Sequence, residues 1–251
     1  MKTKYILCDI EATGNRVDDA IIQIGMMVTD SLLYSKEVEI YSELNSSDRD
    51  MMYEAMEIHH ITPEMLKGKA KLTQTDGYTK IKELNSSSNI LIAHDAPSDI
   101  SMLKREGIDI DMRVIDTLRC TKHLFGDLDA YRLQYLRYRL GLYRDEIEIA
   151  DRLDIDIKPH EALSDVVVMK ILLERLYLKL EEKYGYSSED DIVKKLITLS
   201  STPVKLERFS FGKYKGEHID EIAHSDYRYL EWMYDNLKLD DDMRYTLELY
   251  L

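Results

Sequence analysis

Tyr5-Ile6-Leu7-Cys8-Asp9-Ile10-Glu11-Ala12-Thr13-Gly14 decides how the rest of the chain is read. Its first residues are apolar and β-rich, and Glu11-Ala-Thr-Gly14 closes the run as a turn. Asp9 and Glu11 are two positions apart, so an extended backbone puts both carboxylates on one face. They also fall at the carboxyl end of the strand, the edge at which open α/β sheets keep their sites. With 48 acids among 251 residues, an acid-any-acid triplet arises often by chance. Position gives this one weight, because an unpaired carboxylate inside an apolar strand is costly.

Working outward, Ala20–Thr29 is a second apolar run, and Tyr34–Tyr41 alternates, with Glu37 and Glu39 on one face. Three strands with short connections read as a meander. The pattern then turns helical over Asp48–His60 and again over Thr75–Leu84. Ile90–Ala93 is a buried strand leading into a helix from Ser98 to Glu106. Val114–Asp116 is a short strand before another helix, and Tyr131–Leu140 is a further helix. Glu161–Lys183 is the longest helical pattern, capped by Gly185. This order predicts an α/β fold, a mixed sheet flanked by helices. Residues 1–186 read as one domain, 187–203 as a linker with a short helix, and 204–251 as a small separate module.

Composition narrows the function. A net charge of −14 opposes broad wrapping of duplex nucleic acid but allows a strand end to be gripped in a metal-filled cleft. Cys8 and Cys120 match no ligand spacing and read as buried thiols of a reducing compartment. With no apolar run of membrane-spanning length and no signal-peptide pattern, a cytoplasmic protein is expected.

Further candidates stand at other element ends. Asp99 opens the helix after Ile90–Ala93, and His160 and Asp165 flank the start of the longest helix. Five residues is nearly one and a half helical turns, so these two point the same way only if His160 precedes the helix proper. Pro159 is compatible with a break there. Two unit charges 4 Å apart repel by about 4 kcal/mol at an effective dielectric of 20. Converging carboxylates therefore call for divalent cations, the combination that two-metal phosphoryl hydrolysis uses.

Asp9-Ile-Glu11-Ala-Thr-Gly14, His94-Asp95-Ala-Pro-Ser-Asp99, Asp116-Thr117 and His160-Glu-Ala-Leu-Ser-Asp165 resemble, in order, the motifs of the DEDDh group of 3′→5′ exonucleases. The resemblance covers about residues 4–183, and His59-His60-Ile61-Thr62 is similar to a segment many members carry. It implies a ribonuclease H-like fold with a mixed five-stranded sheet. It implies that Asp9, Glu11, Asp99 and Asp165 hold two Mg²⁺ or Mn²⁺ ions. His160 would take the proton of a metal-bound water, and the product would be a nucleoside 5′-monophosphate. Ala12, Thr13 and Gly14 would approach the terminal nucleotide through backbone groups, with Gly14 free to take positive φ.

His94 either contacts substrate or holds its loop together, and Asp116 either orients that loop or bridges the metal carboxylates. The His59-His60 pair lacks the spacing of a zinc site and either caps its helix or lines the cleft. Cys8 reads as core packing, and Glu161 as a helix-start carboxylate favoured by the dipole. The chain departs from the family at Asp95, where Asn is usual, and at Ser98, where an aromatic is usual. Asn15-Arg16-Val17 also lacks the large apolar wedge some members carry.

Phe209-Ser-Phe211-Gly-Lys213-Tyr-Lys215-Gly216, followed by Tyr229-Leu-Glu-Trp232, resembles the small C-terminal domain of exodeoxyribonuclease X-like proteins. Residues 204–216 hold four bases and one acid, whereas 217–251 hold three and ten. Arg208, Lys213, Tyr214 and Lys215 could contact nucleic acid. Alternatively the segment is a plain hairpin whose rings pack on a helix containing Tyr229, Leu230 and Met233. The implied substrate is single-stranded DNA or a DNA 3′ end. An RNA-processing exoribonuclease, a polymerase proofreading subunit and a catalytically idle binding module are the competing readings.

Overall fold

The computed structural model describes residues 2–33, 35, 37–126, 128–186 and 188–251. The chain opens with β1 (Tyr5–Ala12), β2 (Ile21–Thr29) and β3 (Glu39–Leu44), then α1 (Tyr53–His59), α2 (Pro63–Leu66) and α3 (Asp76–Leu84). After β4 (Ile90–Ala93), α4 (Ala96–Arg105) and β5 (Arg113–Asp116) come α5 (Thr117–Phe125), α6 (Leu133–Arg139) and α7 (Glu146–Leu153). The long α8 (Ala162–Tyr184) and α9 (Glu189–Ser201) complete the larger body, and α10 (Ile219–Ser225), α11 (Tyr227–Asn236) and α12 (Asp241–Glu248) build the small module.

The five strands run in the order β3-β2-β1-β4-β5. The first three form the antiparallel meander, and β4 and β5 join β1 in parallel. This is the mixed five-stranded, helix-flanked sheet expected of a ribonuclease H-like fold. Alternation along β1 assigns its faces. Tyr5 and Leu7 enter the core shared with α5, α6, α8 and α9, whereas Ile6 and Cys8 enter the core shared with α3 and α4. The period of two continues Tyr5 and Leu7 into Asp9 and Glu11, which puts both acids on the α8 side.

Several boundaries move for physical reasons. The helix expected over 48–60 starts at Tyr53, because the Met52 N–H donates to the Thr13 carbonyl (2.8 Å) and Met51 packs beside Ile22, Ile61 and Leu66. Tyr34 and Lys36, within the expected third strand, lie outside the described residues; β3 itself runs over Glu39–Leu44. α2 and α7 carry too short a pattern to stand out in sequence.

Every residue from Ala162 to Leu173 is buried, so α8 runs through the centre of the molecule. Its first turn lies on β2 at Gly25, where a Cβ would come within 2.2 Å of the Ala162 carbonyl carbon. The segment 187–203 carries α9, whose Ile192, Val193, Leu196 and Leu199 join the same core as α8.

The module has its own small core of Phe209, Ile219, Leu230, Met233, Met243 and Leu247. The hairpin reading fails: a single bridge between Arg208 and His218 is all the β structure described there. Gly212 (φ 82°) and Gly216 (φ 91°) fold the intervening residues into a tight loop. Phe209 is buried with its ring edge-on to Tyr229, while Phe211 stays exposed. Arg119 Nη2 donates to Asp242 (2.9 Å) and to the Thr202 carbonyl (2.7 Å), and the Val204 N–H also donates to Asp242 (2.9 Å). These contacts fasten the module to α5.

Candidate active site

Carboxylate oxygens of Asp9, Glu11 and Asp165 lie within 4.8 Å of one another at the carboxyl edge of β1. Asp165 arrives from the first turn of α8, because that turn is seated on Gly25, the register partner of Asp9. Gln23, the partner of Glu11, fixes the same turn: its Oε1 accepts from the Ala162 N–H (3.3 Å) and its Nε2 donates to Glu161 (3.0 Å). Asp99 comes from the opposite side of the sheet, on the first turn of α4. Its Oδ2 is buried without a hydrogen-bond partner among the described residues.

The electrostatics follow from crowding. Burial first, then Asp99, Asp165 and Glu11, pushes Asp9 well above the usual carboxylate range. Glu11 is pushed up to about 8 by burial and then by Asp165, Asp99 and Glu161. Burial also raises Asp99 well above its ordinary value, with Asp95 and Asp116 adding to it. Asp165 rises less, to about 7, because the His160 N–H, Arg137 and Gln134 oppose its burial. Asp9, Glu11 and Asp165, which resist ionising together, form an all-oxygen donor set suited to a hard divalent cation; Asp99, with its orphaned oxygen, is not one of these three converging groups. The residues fit a metal ion.

His160 takes the left-handed conformation (φ 59°) and precedes α8, as its spacing to Asp165 demanded. Histidine is among the non-glycine residues that tolerate this region, at a cost accepted at functional sites. Its N–H donates to Asp165 Oδ1 (3.4 Å), and its Nδ1 stands 4.0 Å from Asp165 Oδ2. The ring is 40% exposed, and burial followed by His60 lowers its pKa, which favours the neutral imidazole.

Sequence reasoning missed the support behind Asp165. Gln134 Nε2 donates to Asp165 Oδ1 (2.5 Å), while Gln134 Oε1 accepts from Arg137 Nη1 (3.2 Å). Arg137 in turn makes two 2.5 Å bonds to the buried Glu146. Because Arg137 can only donate, the amide of Gln134 must turn its NH₂ toward Asp165. No local pattern announces this chain of contacts, since its members come from α6, α7 and α8.

A cleft of about 680 Å³ opens beside the carboxylates, lined by Glu11, Ala12, Gly14, Val17, Met52, Ile58, His59, Asp99 and Met102 among others. Ala12 and Gly14 are placed to meet a ligand. Thr13 is not: it is buried, its hydroxyl binds Asp19, its N–H donates to Ala20 and its carbonyl accepts from Met52. Gly14 also differs from expectation, since it lies outside the positive-φ region. A side chain there would strike Met52 Sδ at 2.4 Å and Asp19 Oδ2 at 2.6 Å, so lack of space is what favours glycine.

His94 lies away from that cleft lining. Its Nδ1 meets Thr117 Oγ1 (2.9 Å) and its Nε2 the Tyr131 carbonyl (2.7 Å), so it ties loops together and is not free to bind substrate. Burial lowers its pKa to about 4. Asp116 Oδ1 accepts from the N–H groups of Asp95 (3.2 Å), Leu118 (2.9 Å) and Arg119 (3.3 Å), the loop-orienting role. Asp95 is left-handed (φ 71°), a conformation Asp shares with Asn, which accounts for its occupying the usual Asn position. His59 lines the cleft and accepts from the Ile61 N–H, leaving Nε2 to donate to the Ala12 carbonyl (3.2 Å). Its neighbour His60 caps α1 in the left-handed region. Glu161 caps α8 through the Ser164 N–H.

Residues 6–173 match the family described as Exonuclease, and residues 209–238 match the one described as Exodeoxyribonuclease X-like C-terminal. The chain belongs to the exonuclease family. It is a 3′→5′ exonuclease of the DnaQ-like superfamily, a hydrolase whose acidic cluster can hold a metal ion. Exodeoxyribonuclease 10 of Escherichia coli is 24% identical to this exonuclease, with the match covering 98% of this chain and 97% of that protein. The PolC-type DNA polymerase III of Clostridium perfringens is also 24% identical, over 72% of this chain but only 12% of the polymerase. Among solved structures, exonuclease X in complex with 5′ overhanging duplex DNA superimposes with a TM-score of 0.52 at 20% identity, over 75% of this chain and 98% of that one. E. coli exonuclease I with a dT13 oligonucleotide gives 0.55 at 16% identity, over 73% and 43%. These structural likenesses speak for the fold. Among the described residues, no helix is long and apolar enough to cross a membrane.

Proposed function

We propose that this exonuclease removes nucleoside 5′-monophosphates one at a time from DNA 3′ ends, with single strands entering the cleft beside Asp9. The convergence of Asp9, Glu11 and Asp165 at one strand edge, beside an exposed His160, carries the reading. The match to exodeoxyribonuclease 10 over nearly the whole of both chains supports DNA as substrate.

Asp9, Glu11, Asp99 and Asp165 would hold two ions, Mg²⁺ or Mn²⁺. Bound there, the metals would acidify the attacking water and stabilise charge on the phosphoryl and leaving oxygens. His160 would be the group that accepts the proton of the attacking water; a ring whose pKa is lowered by burial is in the neutral form that this role needs. Asp165 anchors the His160 main chain by accepting its backbone N–H, and Gln134 holds Asp165. Ala12 and Gly14 leave room for the terminal nucleotide, and Met52, Ile58 and Met102 give it apolar walls. In this division of labour residues 1–186 are the catalytic domain, 187–203 join it to the module, and 204–251 are the module. A cytoplasmic location agrees with the buried free thiols of Cys8 and Cys120.

The test is digestion of labelled single-stranded DNA, duplex DNA and RNA side by side with Mg²⁺ and Mn²⁺. Faster release from single-stranded DNA supports the proposal. Faster release from RNA of the same sequence overturns the substrate assignment.

A further inference from the structure

We propose that the groove between the catalytic body and the C-terminal module binds the sugar–phosphate backbone of single-stranded nucleic acid several nucleotides 5′ of the end being cut. This rests on the exonuclease reading above and extends it to a second site. The groove measures about 580 Å³. One wall comes from the end of α5 and the loop after it, with Lys122, His123 and Tyr131. The other comes from the module, with Lys205, Arg208 and Lys215.

Charge singles the groove out. The chain carries −14 overall, yet this groove gathers Lys122, Lys205, Arg208 and Lys215 against the acids Asp129 and Glu207. An acidic protein that handles a polyanion depends on such a local patch. Lys215 and Lys205 are exposed, and the Lys205 ammonium stands 5.3 Å from the centre of the Tyr250 ring. Lys122 stands 5.9 Å from the Tyr131 ring centre and 3.9 Å from Asp242, the acid that fastens the module to α5. The same contacts that seat the module therefore hold the two cationic walls opposite each other. Tyr131 adds a half-buried ring, the kind of surface on which an unpaired base stacks.

The groove is also wired to the active site. The Tyr131 carbonyl accepts from His94, which opens the loop leading to Asp99. Gln134, three residues after Tyr131, donates to Asp165. One end of the groove thus lies three residues from Gln134, which touches the acidic cluster through Asp165. The structure also separates the four module residues that the sequence singled out. Arg208 and Lys215 line the groove. Lys213 and Tyr214 do not, because both bind Asp226 within the module, at 3.0 and 2.7 Å.

The experiment uses the full chain with Lys205→Glu/Lys215→Glu, and separately Lys122→Gln from the opposite wall. Lys179→Glu/Lys183→Glu, on the far part of α8, controls for overall charge. Anisotropy of a labelled 20-nucleotide DNA, with divalent ions chelated, reads binding without cleavage. Kinetics on a trinucleotide and on the 20-mer read the chemistry. The groove variants should bind the 20-mer at least tenfold more weakly, with a log–log salt slope shallower by about one unit or more. Their KM on the 20-mer should rise while kcat and trinucleotide cleavage stay at wild-type values. The far control should leave all of these unchanged. Wild-type affinity and salt slope in both groove variants, with thermal unfolding showing them folded, would overturn the proposal. Loss equal to that of the far control would overturn it too. Failure of the wild-type protein to cleave the trinucleotide or the 20-mer would instead strike the exonuclease reading, which the binding measurement does not need.

Discussion

Asp9 and Gly25 face each other across the β1–β2 ladder, and the absent side chain of Gly25 is where α8 begins. The glycine lets the Ala162–Leu163 backbone rest on the strand, and that seat carries Asp165 to Asp9. A Cβ at 2.2 and 2.3 Å from two backbone atoms cannot be absorbed by a rotamer change. Gly25→Ala should therefore push the first turn of α8 outward. We expect a loss of about 1–3 kcal/mol in chemical denaturation, the usual cost of overpacking. Mn²⁺ affinity and kcat should both fall, because a 1 Å displacement of Asp165 opens the cluster.

Removing one carboxylate should separate activity from stability. Asp9→Asn or Asp165→Asn should abolish hydrolysis, yet leave the metal-free protein as stable as wild type or more so, since each relieves crowding among like charges. Thermal unfolding in chelator and mononucleotide release in saturating Mg²⁺ check the two halves.

The raised carboxylates also set a pH trend. Glu11 at about 8 and Asp165 at about 7 hold protons that the unfolded chain has released above the ordinary carboxylate value near 4. The folded state then binds more protons than the unfolded one, so stability falls as pH rises through that window. The share of the fall that Glu11 carries should end near about 8, once it has ionised in the fold as well. Melting temperatures of chelated protein from pH 5 to 9 should show the decline, and Glu11→Gln should flatten it. Added Mn²⁺ should restore stability most at the alkaline end.

Gln134 should behave as a positioning residue. Gln134→Leu leaves Asp165 without its 2.5 Å donor. Calorimetry should show Mn²⁺ binding about 10–100-fold more weakly, the usual scale for a residue that orients a metal ligand. Arg137→Met should act differently. It strands buried Glu146, so the expected loss is folding stability, about 3–5 kcal/mol.

Much of this was legible in the sequence because it is local. The period of two in β1 put Asp9 and Glu11 together, and the five-residue spacing required His160 to stand before α8. What could not be read depends on contacts between distant segments. Gly25 is an ordinary strand glycine until α8 is seated on it, and Gln134 is one more polar helix residue until Arg137 and Asp165 are found on either side. Gly14 looked like a source of positive φ, but the nearby Met52 and Asp19 are what favour it. Thr13 looked like a substrate contact until its partners proved to be Asp19, Ala20 and Met52. The aromatic loop of the module resembled a hairpin because glycines punctuate a short run of aromatic and basic residues. Burial of Phe209 alone among Phe209, Phe211 and Tyr214 shows that its rings answer to helix packing.

His160 divides the mechanism from simple metal binding. His160→Ala should lower kcat by about 10²–10⁴-fold, the scale of a lost general base, and keep both metal equivalents in calorimetry. Loss of one equivalent would make His160 a ligand.

The central claim is that the acidic cluster cuts the 3′-terminal phosphodiester. Single-stranded DNA labelled at its 5′ end, incubated with Mn²⁺ and sampled over time, tests it most directly. Wild-type protein should give a ladder shortening one nucleotide at a time from the 3′ end, and folded Asp9→Asn should give none. Immediate release of the 5′ label, or a wild-type ladder from Asp9→Asn in saturating Mn²⁺, would contradict it.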